Sequence, residues 1–216
     1  MSTRTTVVFV LVLLFASTLA GILLWNRLPD PMASHWGVNN QVNGTLPRFW
    51  GVFLVPLISL GMFLLFLLIP IMDPLKANIA KFRNVFNLFI AFLMLFLVYV
   101  YALTLAWNLG FTNFKISLLL LPAVGILLML IGYMLRSTKR NFFIGIRTPW
   151  TLSSDYVWDQ THRVGSWLFI VCGVLACLGS LLGQFAAFLL LFVPLVGSTI
   201  FLIIYSYVLY RRETRA

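Results

Sequence analysis

The chain has 216 residues, of which 62% are hydrophobic and only 9% are charged, and its mean hydropathy is +1.02. These values lie outside the range of soluble globular proteins, so the composition excludes that class and indicates an integral membrane protein. The net charge of +10 is better explained by contact with anionic lipid head groups than by nucleic acid, and we expect no direct nucleic-acid binding.

Six apolar runs are each long enough to cross a hydrocarbon core, which takes roughly 20 helical residues. None of them alternates at period two, as the strands of a membrane barrel would. The sequence therefore predicts an all-α, polytopic membrane protein with six transmembrane helices, over residues 6–25, 50–72, 85–109, 116–135, 166–182 and 185–210.

The order of these runs predicts two regions within one compact bundle. Residues 1–135 form an N-terminal four-helix region with one long loop at 26–49. Residues 136–216 form a long polar loop followed by a transmembrane hairpin. Two cysteines on the fifth run, Cys172 and Cys177, stand five apart and are expected to pack in the core because that spacing places them too far apart for a disulfide.

Lysine and arginine residues divide unevenly between alternate connections. Twelve of the fifteen lie near the two termini, in the connection after the second run, or at 136–165, and three lie in the other connections. The positive-inside rule therefore predicts that both termini and loop 136–165 are cytoplasmic and that loop 26–49 is extracellular.

Loop 136–165 is the longest polar interruption of the chain. The Thr148–Pro149 step disfavours a helix at Thr148, so the residues before it should be extended or turned. A helix can begin directly afterwards, capped by Ser153 or Ser154, with Asp155 in its first turn. The i,i+4 spacings on this helix predict an interfacial amphipathic helix that runs through Gly165 toward the fifth span.

We expect this loop to form a cytoplasmic docking or sensing surface. Its basic, acidic and aromatic candidates are Arg147, Trp150, Asp155, Trp158, His162 and Arg163. The alternative is a purely structural helix whose tryptophans anchor it at the interface. In that case an Asp159–Arg163 pair contributes about 0.3–0.5 kcal/mol.

Catalytic and metal chemistry are poorly supported. His162 with Asp159 could serve as a base and its orienting group, and Thr161 or Ser153 as a nucleophile, but i,i+3 pairs of this kind arise by chance. His35 and His162 are predicted on opposite sides of the membrane without a cysteine beside either, so we expect no metal site. The loop has no glycine-rich phosphate cradle, and we expect no cofactor and no enzymatic activity.

The loop between the first two spans contains the string LPDPMASHWGVNNQVNG, residues 28–44. Its prolines, asparagines and glycines predict turns rather than a long helix, and hence a compact extracellular cap. His35 and Trp36 could contact a peptide or the membrane surface. The alternative is that Trp36 anchors the cap at the interface and His35 is simply solvated.

Two strings together resemble a known family. GIRTPWTLSSDYVWDQTHRVG, residues 145–165, closely resembles the SdpI family of bacterial membrane proteins, and the LP, HW and NG pattern of residues 28–44 resembles a module of unknown function that often precedes it. The number and order of the spans agree, so the resemblance covers nearly the whole chain.

The resemblance implies a multi-pass protein of the bacterial plasma membrane that gives immunity to a secreted, membrane-active peptide toxin. It also implies signalling through a cytoplasmic repressor held at the membrane. The expected partners are membrane lipid, the peptide toxin and the repressor protein. A runner-up function is a transporter or exporter of a small amphipathic molecule, which the lack of ionisable residues inside the six apolar cores disfavours.

The same resemblance selects candidate residues by their place in the two motifs. The inner motif, expected to dock the repressor or sense the toxin, comprises Arg147, Thr148, Pro149, Trp150, Asp155, Trp158, His162 and Arg163. The outer loop, expected to contact the toxin, contributes Pro29, His35, Trp36 and Gly44.

Overall fold

The computed structural model describes residues 1–37 and 39–215. Val38, within the predicted 26–49 loop, and Ala216, at the end of the predicted C-terminal region, lie outside the described residues. The described helices are α1 (Thr3–Leu24), α2 (Arg48–Met72), α3 (Lys76–Lys81), α4 (Arg83–Asn108), α5 (Ile116–Ser137), α6 (Pro149–Ser153), α7 (Asp155–Leu181) and α8 (Gln184–Glu213). A short 3-10 turn, Trp25–Arg27, extends α1.

Six of these helices are long and apolar enough to cross a membrane: α1 with its 3-10 turn, α2, α4, α5, α7 and α8. The predicted all-α, six-span architecture is therefore confirmed. The largest difference is at the fifth span: its helix α7 begins at Asp155 and so includes residues 155–165, which were predicted to lie in the polar loop before the span.

Successive spans run in alternating directions, so the connections gather at two ends of the bundle. The "hairpin end" carries residues 25–47, the connection 109–115 and the turn 182–183. The "loop end" carries both termini, α3 and the connection 138–154 with α6. The two termini lie at the same end, in agreement with the charge distribution, and the cytoplasmic location of that end remains a prediction.

A two-stranded antiparallel sheet at the hairpin end was not predicted. It pairs β1 (Met32–Trp36) with β2 (Val42–Leu46), with two register irregularities near His35. Met32 is fully buried against Gly51 of α2. The side-chain amide of Asn108 accepts from Ala33 N at 2.7 Å and donates to Ala33 O at 2.9 Å. The cap is thus fixed to the ends of α2 and α4.

Helix α7 packs between α5 and α8, and its approach to α5 depends on small residues. A Cβ atom on Gly125 would lie 2.6 Å from Gly173 O, and one on Gly132 would lie 2.6 Å from Ser166 O. The two helices therefore touch backbone to backbone at two levels, Gly125 with Gly173 and Gly132 with Ser166. In a bilayer, where apolar side chains gain little by leaving lipid, such close contact is a main source of helix association.

The largest buried cluster joins both parts of the chain. Val10, Phe63 and Phe86 from the N-terminal spans pack in one core with Met134 of α5 and Ile144 of the following loop. The loop after α5 is therefore partly inside the bundle and does not lie over it as a free cytoplasmic segment.

We expect Gly132→Leu to destabilise the protein by about 1–3 kcal/mol or more, because the new side chain must displace the α7 backbone. Gly61→Leu is the matched control, since Gly61 also lies inside a spanning helix but has nothing within 4 Å of an added Cβ. The apparent melting temperature of the detergent-solubilised protein should fall for the first variant and stay near the native value for the second. Equal melting temperatures for the two variants would contradict the close α5–α7 packing.

Candidate functional site

The connection between α5 and α6 is folded by one buried amide. Asn141 is fully buried, and its Oδ1 accepts from the backbone N of Phe143 at 2.9 Å and of Ile144 at 2.6 Å. Its Nδ2 donates to Lys139 O and Ile144 O, both at 2.8 Å. Asn141 was not among the predicted site residues, although asparagine often bonds the backbone two residues onward in turns.

His162 fixes the next part of the loop from α7. Its Nε2 accepts from Ile146 N at 2.9 Å, and its Nδ1 lies 2.8 Å from Trp158 O. A backbone N–H can only donate and a carbonyl can only accept, so these contacts assign the neutral ring with its proton on Nδ1. The ring stacks on Trp158 at a centroid distance of 4.0 Å. With 1% of its surface exposed, His162 acts as a structural hydrogen-bond acceptor.

Gly145 passes directly over this ring. Its φ of +122° is in the left-handed region that favours glycine. A Cβ atom there would contact His162 Nε2 and would lie 3.2 Å from Trp158 Cζ2. Glycine at position 145 is therefore favoured both by the backbone conformation and by the lack of space over the imidazole.

A capping box starts α6. Thr148 is extended, as predicted from the proline that follows it, and Pro149 occupies the first helical turn, where a missing N–H costs nothing. Thr148 Oγ1 accepts from Thr151 N at 3.2 Å, and Thr151 Oγ1 accepts from Thr148 N at 2.9 Å. Thr148 Oγ1 also lies 3.1 Å from Ser206 Oγ of α8, so the box joins the loop to the last span.

Helix α7 begins as predicted, with Ser154 as its cap and Asp155 in its first turn. Ser154 Oγ accepts from Val157 N at 3.2 Å. The helix runs through Gly165 into the fifth span, as predicted, but its interfacial, amphipathic character is not confirmed. Gly165 is buried between Ile146 and Leu202, so the helix enters the bundle here and does not turn along its surface.

The acids of α7 pair with the preceding loop. Lys139 Nζ lies 3.2 Å from Asp159 Oδ1, so the predicted Asp159–Arg163 pair is replaced by a contact between elements. Arg140 Nε lies 2.8 Å from Asp155 Oδ1 without the alignment of a hydrogen bond, while its guanidinium donates to Leu152 O at 3.0 Å. Exposed pairs like these contribute about 0–1 kcal/mol each and mainly fix orientation.

The predicted inner motif separates into two groups by exposure. Thr148, Trp158 and His162 are buried and position the loop. The side chains that remain available for contact are the exposed Arg147, Pro149, Asp155 and Arg163 and the half-buried Trp150. Trp150 packs against Tyr207 at 5.0 Å between ring centroids.

The predicted outer residues lie around the β-hairpin. Gly44 pairs with the exposed His35 across the two strands, and His35 Nδ1 hydrogen-bonds Asn43 Oδ1. Trp36 meets Trp107 edge to face at 5.7 Å. Pro29 is exposed before the first strand and is not part of the cleft beneath it.

A cleft of about 320 Å³ lies below β1, between α4, α5 and the start of α8. Its walls are largely apolar, and the polar members are Ser34, His35, Thr104, Ser117 and Gln184. Gln184 Nε2 donates to Ser117 Oγ at 2.8 Å. Trp36 lines the cleft, and within the described residues its buried Nε1 has no hydrogen-bond partner. The cleft thus has mainly apolar walls, with the indole of Trp36 as one of them.

Comparison with known proteins gives three findings. Residues 137–206 match the model of the SdpI/YfhL protein family, and residues 12–60 match a domain of unknown function, DUF1648. The chain is 28% identical over 192 residues to the immunity protein SdpI of Bacillus subtilis (strain 168), with 88% of this chain and 89% of that protein covered. No solved structure matches. The family resemblance is confirmed, and with the six spans it makes the chain a multi-pass protein of the bacterial cell membrane.

We expect Gly145→Ala to loosen the loop, because the methyl group strains a positive φ and also meets the His162 ring. Gly110→Ala is the matched control: Gly110 has a φ of +95° but nothing within 4 Å of an added Cβ. Limited trypsin cleavage after the exposed Arg147 should be faster in the first variant than in the second. Equal cleavage rates would show that the contact with His162 does not hold this segment.

Proposed function

From its similarity to the SdpI family along nearly its whole length, we propose that this chain is a membrane immunity protein that protects a bacterium from a membrane-active peptide toxin. The observation that carries the proposal is the alignment with the immunity protein SdpI, which covers 88% of this chain. It includes both the hairpin end and the loop end, so the likeness is not limited to a shared pattern of spans.

The cleft at the hairpin end is the proposed contact site for the toxin. Its apolar walls suit the apolar side chains of an amphipathic peptide. The positive-inside prediction places this end on the side from which a secreted toxin arrives.

The state of His162 supports binding rather than catalysis. Both ring nitrogens are already engaged, with Ile146 N and Trp158 O. A general base must reach the proton that it removes, and this imidazole is enclosed by its own loop. Immunity in this proposal therefore comes from contact with the toxin and needs no bond-breaking step.

The exposed part of the inner motif is the proposed docking surface for a cytoplasmic repressor. Arg147 is exposed while its guanidinium donates to Phe142 O at 2.7 Å, so the side chain is already partly ordered. Asp155 keeps 75% of its side chain exposed despite the contact with Arg140. Charges of both signs at a rim chiefly set encounter rate and orientation. A tagged autorepressor that stayed cytosolic after toxin addition would contradict this part and leave immunity intact.

The test is the survival and membrane potential of a toxin-sensitive bacterium that expresses the chain and is challenged with the sporulation-delaying peptide toxin. We expect protection by the native chain and loss of most of it in Trp36→Ala, because this variant removes a large aromatic part of the cleft wall. Trp50→Ala is the matched control: Trp50 is also at the hairpin end, is 46% exposed and lies outside the cleft.

Three variants at equal membrane abundance separate the parts of the proposal. Trp50→Ala should protect like the native chain, and so should Arg147→Ala, which alters the opposite end. No protection by the native chain would contradict immunity to this toxin. Full protection by Trp36→Ala would retain immunity but contradict contact through the cleft.

A further inference from the structure

A second pocket, of about 390 Å³, opens at the loop end between α5 and α7. Arg136 and Lys139 reach it from the end of α5 and the residues after it, while Asp159, Arg163 and Trp167 reach it from α7. The toxin and repressor proposals use other surfaces, apart from the edge that Arg163 shares with the inner motif.

The charges of this pocket are unbalanced. Three cationic side chains face one carboxylate, and that carboxylate, Asp159, is held by Lys139 at 3.2 Å. Arg136 and Arg163 have no ion-pair partner among residues 1–37 and 39–215. His162 also borders the pocket, but the hydrogen bond accepted by its Nε2 keeps it neutral. Two guanidinium groups are therefore left to attract an anion.

Guanidinium groups favour phosphate because their parallel N–H donors match two phosphate oxygens. A pair of them on neighbouring helices can hold one phosphate from two sides. The Lys139–Asp159 pair closes one side of the pocket and leaves the arginine side free for the ligand.

The surroundings of the pocket indicate a ligand from the membrane. Trp167 follows Arg163 by one helical turn and is 58% exposed, and Tyr133 precedes Arg136 by about one turn and is 52% exposed. Exposed Trp and Tyr at the ends of spans are typical of the depth of lipid head groups. Below them the outward faces of α5 and α7 are apolar, with Ile126 and Val171 exposed. A lipid can place its phosphate at the arginines and its acyl chains along these faces.

We propose that Arg136 and Arg163 bind the phosphate of an anionic phospholipid at the loop end, with Trp167 against its glycerol and upper acyl region. Basic pockets between spans on the cytoplasmic side commonly hold anionic head groups. The site is independent of toxin immunity. An occupied site would join the ends of α5 and α7 at the loop end and would neutralise the two unpaired charges.

The test is native mass spectrometry of the full chain in neutral detergent, titrated with phosphatidylglycerol or with phosphatidylcholine of the same acyl chains. The native chain should bind phosphatidylglycerol more tightly. Arg136→Gln with Arg163→Gln should weaken that affinity by about tenfold or more, which corresponds to about 1.4 kcal/mol, and should weaken phosphatidylcholine binding less, because choline already offsets the charge of that phosphate. Arg211→Gln with Arg212→Gln is the matched control, because it removes two exposed arginines of the same end outside the pocket.

Each further outcome supports or overturns the proposal. Equal loss of affinity in the two double variants would overturn it, since general charge attraction would then explain binding. Displacement of the lipid by inorganic phosphate alone at similar concentration would overturn the assignment to a lipid. Arg136→Lys with Arg163→Lys keeps the two positive charges but lacks the parallel N–H donors of the guanidinium groups. This lysine variant should bind phosphatidylglycerol with intermediate affinity. It also tests the proposal where the glutamine variant does not fold. Native-like affinity in this lysine variant would contradict recognition by the guanidinium groups.

Discussion

The loop end depends on one hydrogen bond, from Ile146 N to Nε2 of a buried, neutral His162. The loop that follows α5 enters the bundle, where an unpaired backbone N–H costs about 1–3 kcal/mol. His162 supplies the acceptor, Trp158 supports its ring by stacking, and Gly145 leaves the space above it. Arg147, an exposed residue of the inner motif, follows Ile146 directly, so its position depends on this contact.

Further buried polar contacts join this loop to the N-terminal spans. Asp73, which is 1% exposed, accepts from Phe142 N at 2.8 Å and from Leu75 N at 2.6 Å. Asn78 Nδ2 donates to Arg140 O at 2.9 Å. Each polar side-chain atom of Asp73 and Asn78 has a hydrogen-bond partner, which offsets the cost of removing these groups from water. The segment that matches the SdpI family is thus held against residues that precede it in the chain.

The spans could be predicted because bilayer thickness fixes how long an apolar helix must be. The start of α7 also followed from local chemistry at Ser154 and Asp155. The β-hairpin could not be predicted in this way, because its attachment depends on Asn108, far along the chain from Ala33. Turn-forming residues are equally compatible with an irregular loop.

The roles of the motif residues were also hard to predict, because they too depend on partners far along the chain. Trp158 and His162 stand four apart on one helix face, and this spacing is identical for an exposed surface and for a buried contact. The partner that decides between them is the backbone of Ile146, sixteen positions away from His162. Likewise Asp159 pairs with Lys139 across elements, whereas periodicity alone favoured Arg163. Long-range partners thus determined which motif residues became buried supports and which remained exposed.

The claim that His162 holds the loop is tested most directly by hydrogen–deuterium exchange of the peptide containing Ile146 in native protein, His162→Ala and Arg163→Ala. Loss of the acceptor should speed exchange at the Ile146 amide by about tenfold or more, the equivalent of about 1.4 kcal/mol. Alanine at the adjacent, exposed Arg163 should leave it unchanged. Native protection in His162→Ala would contradict the claim and would mean that another group orders this loop.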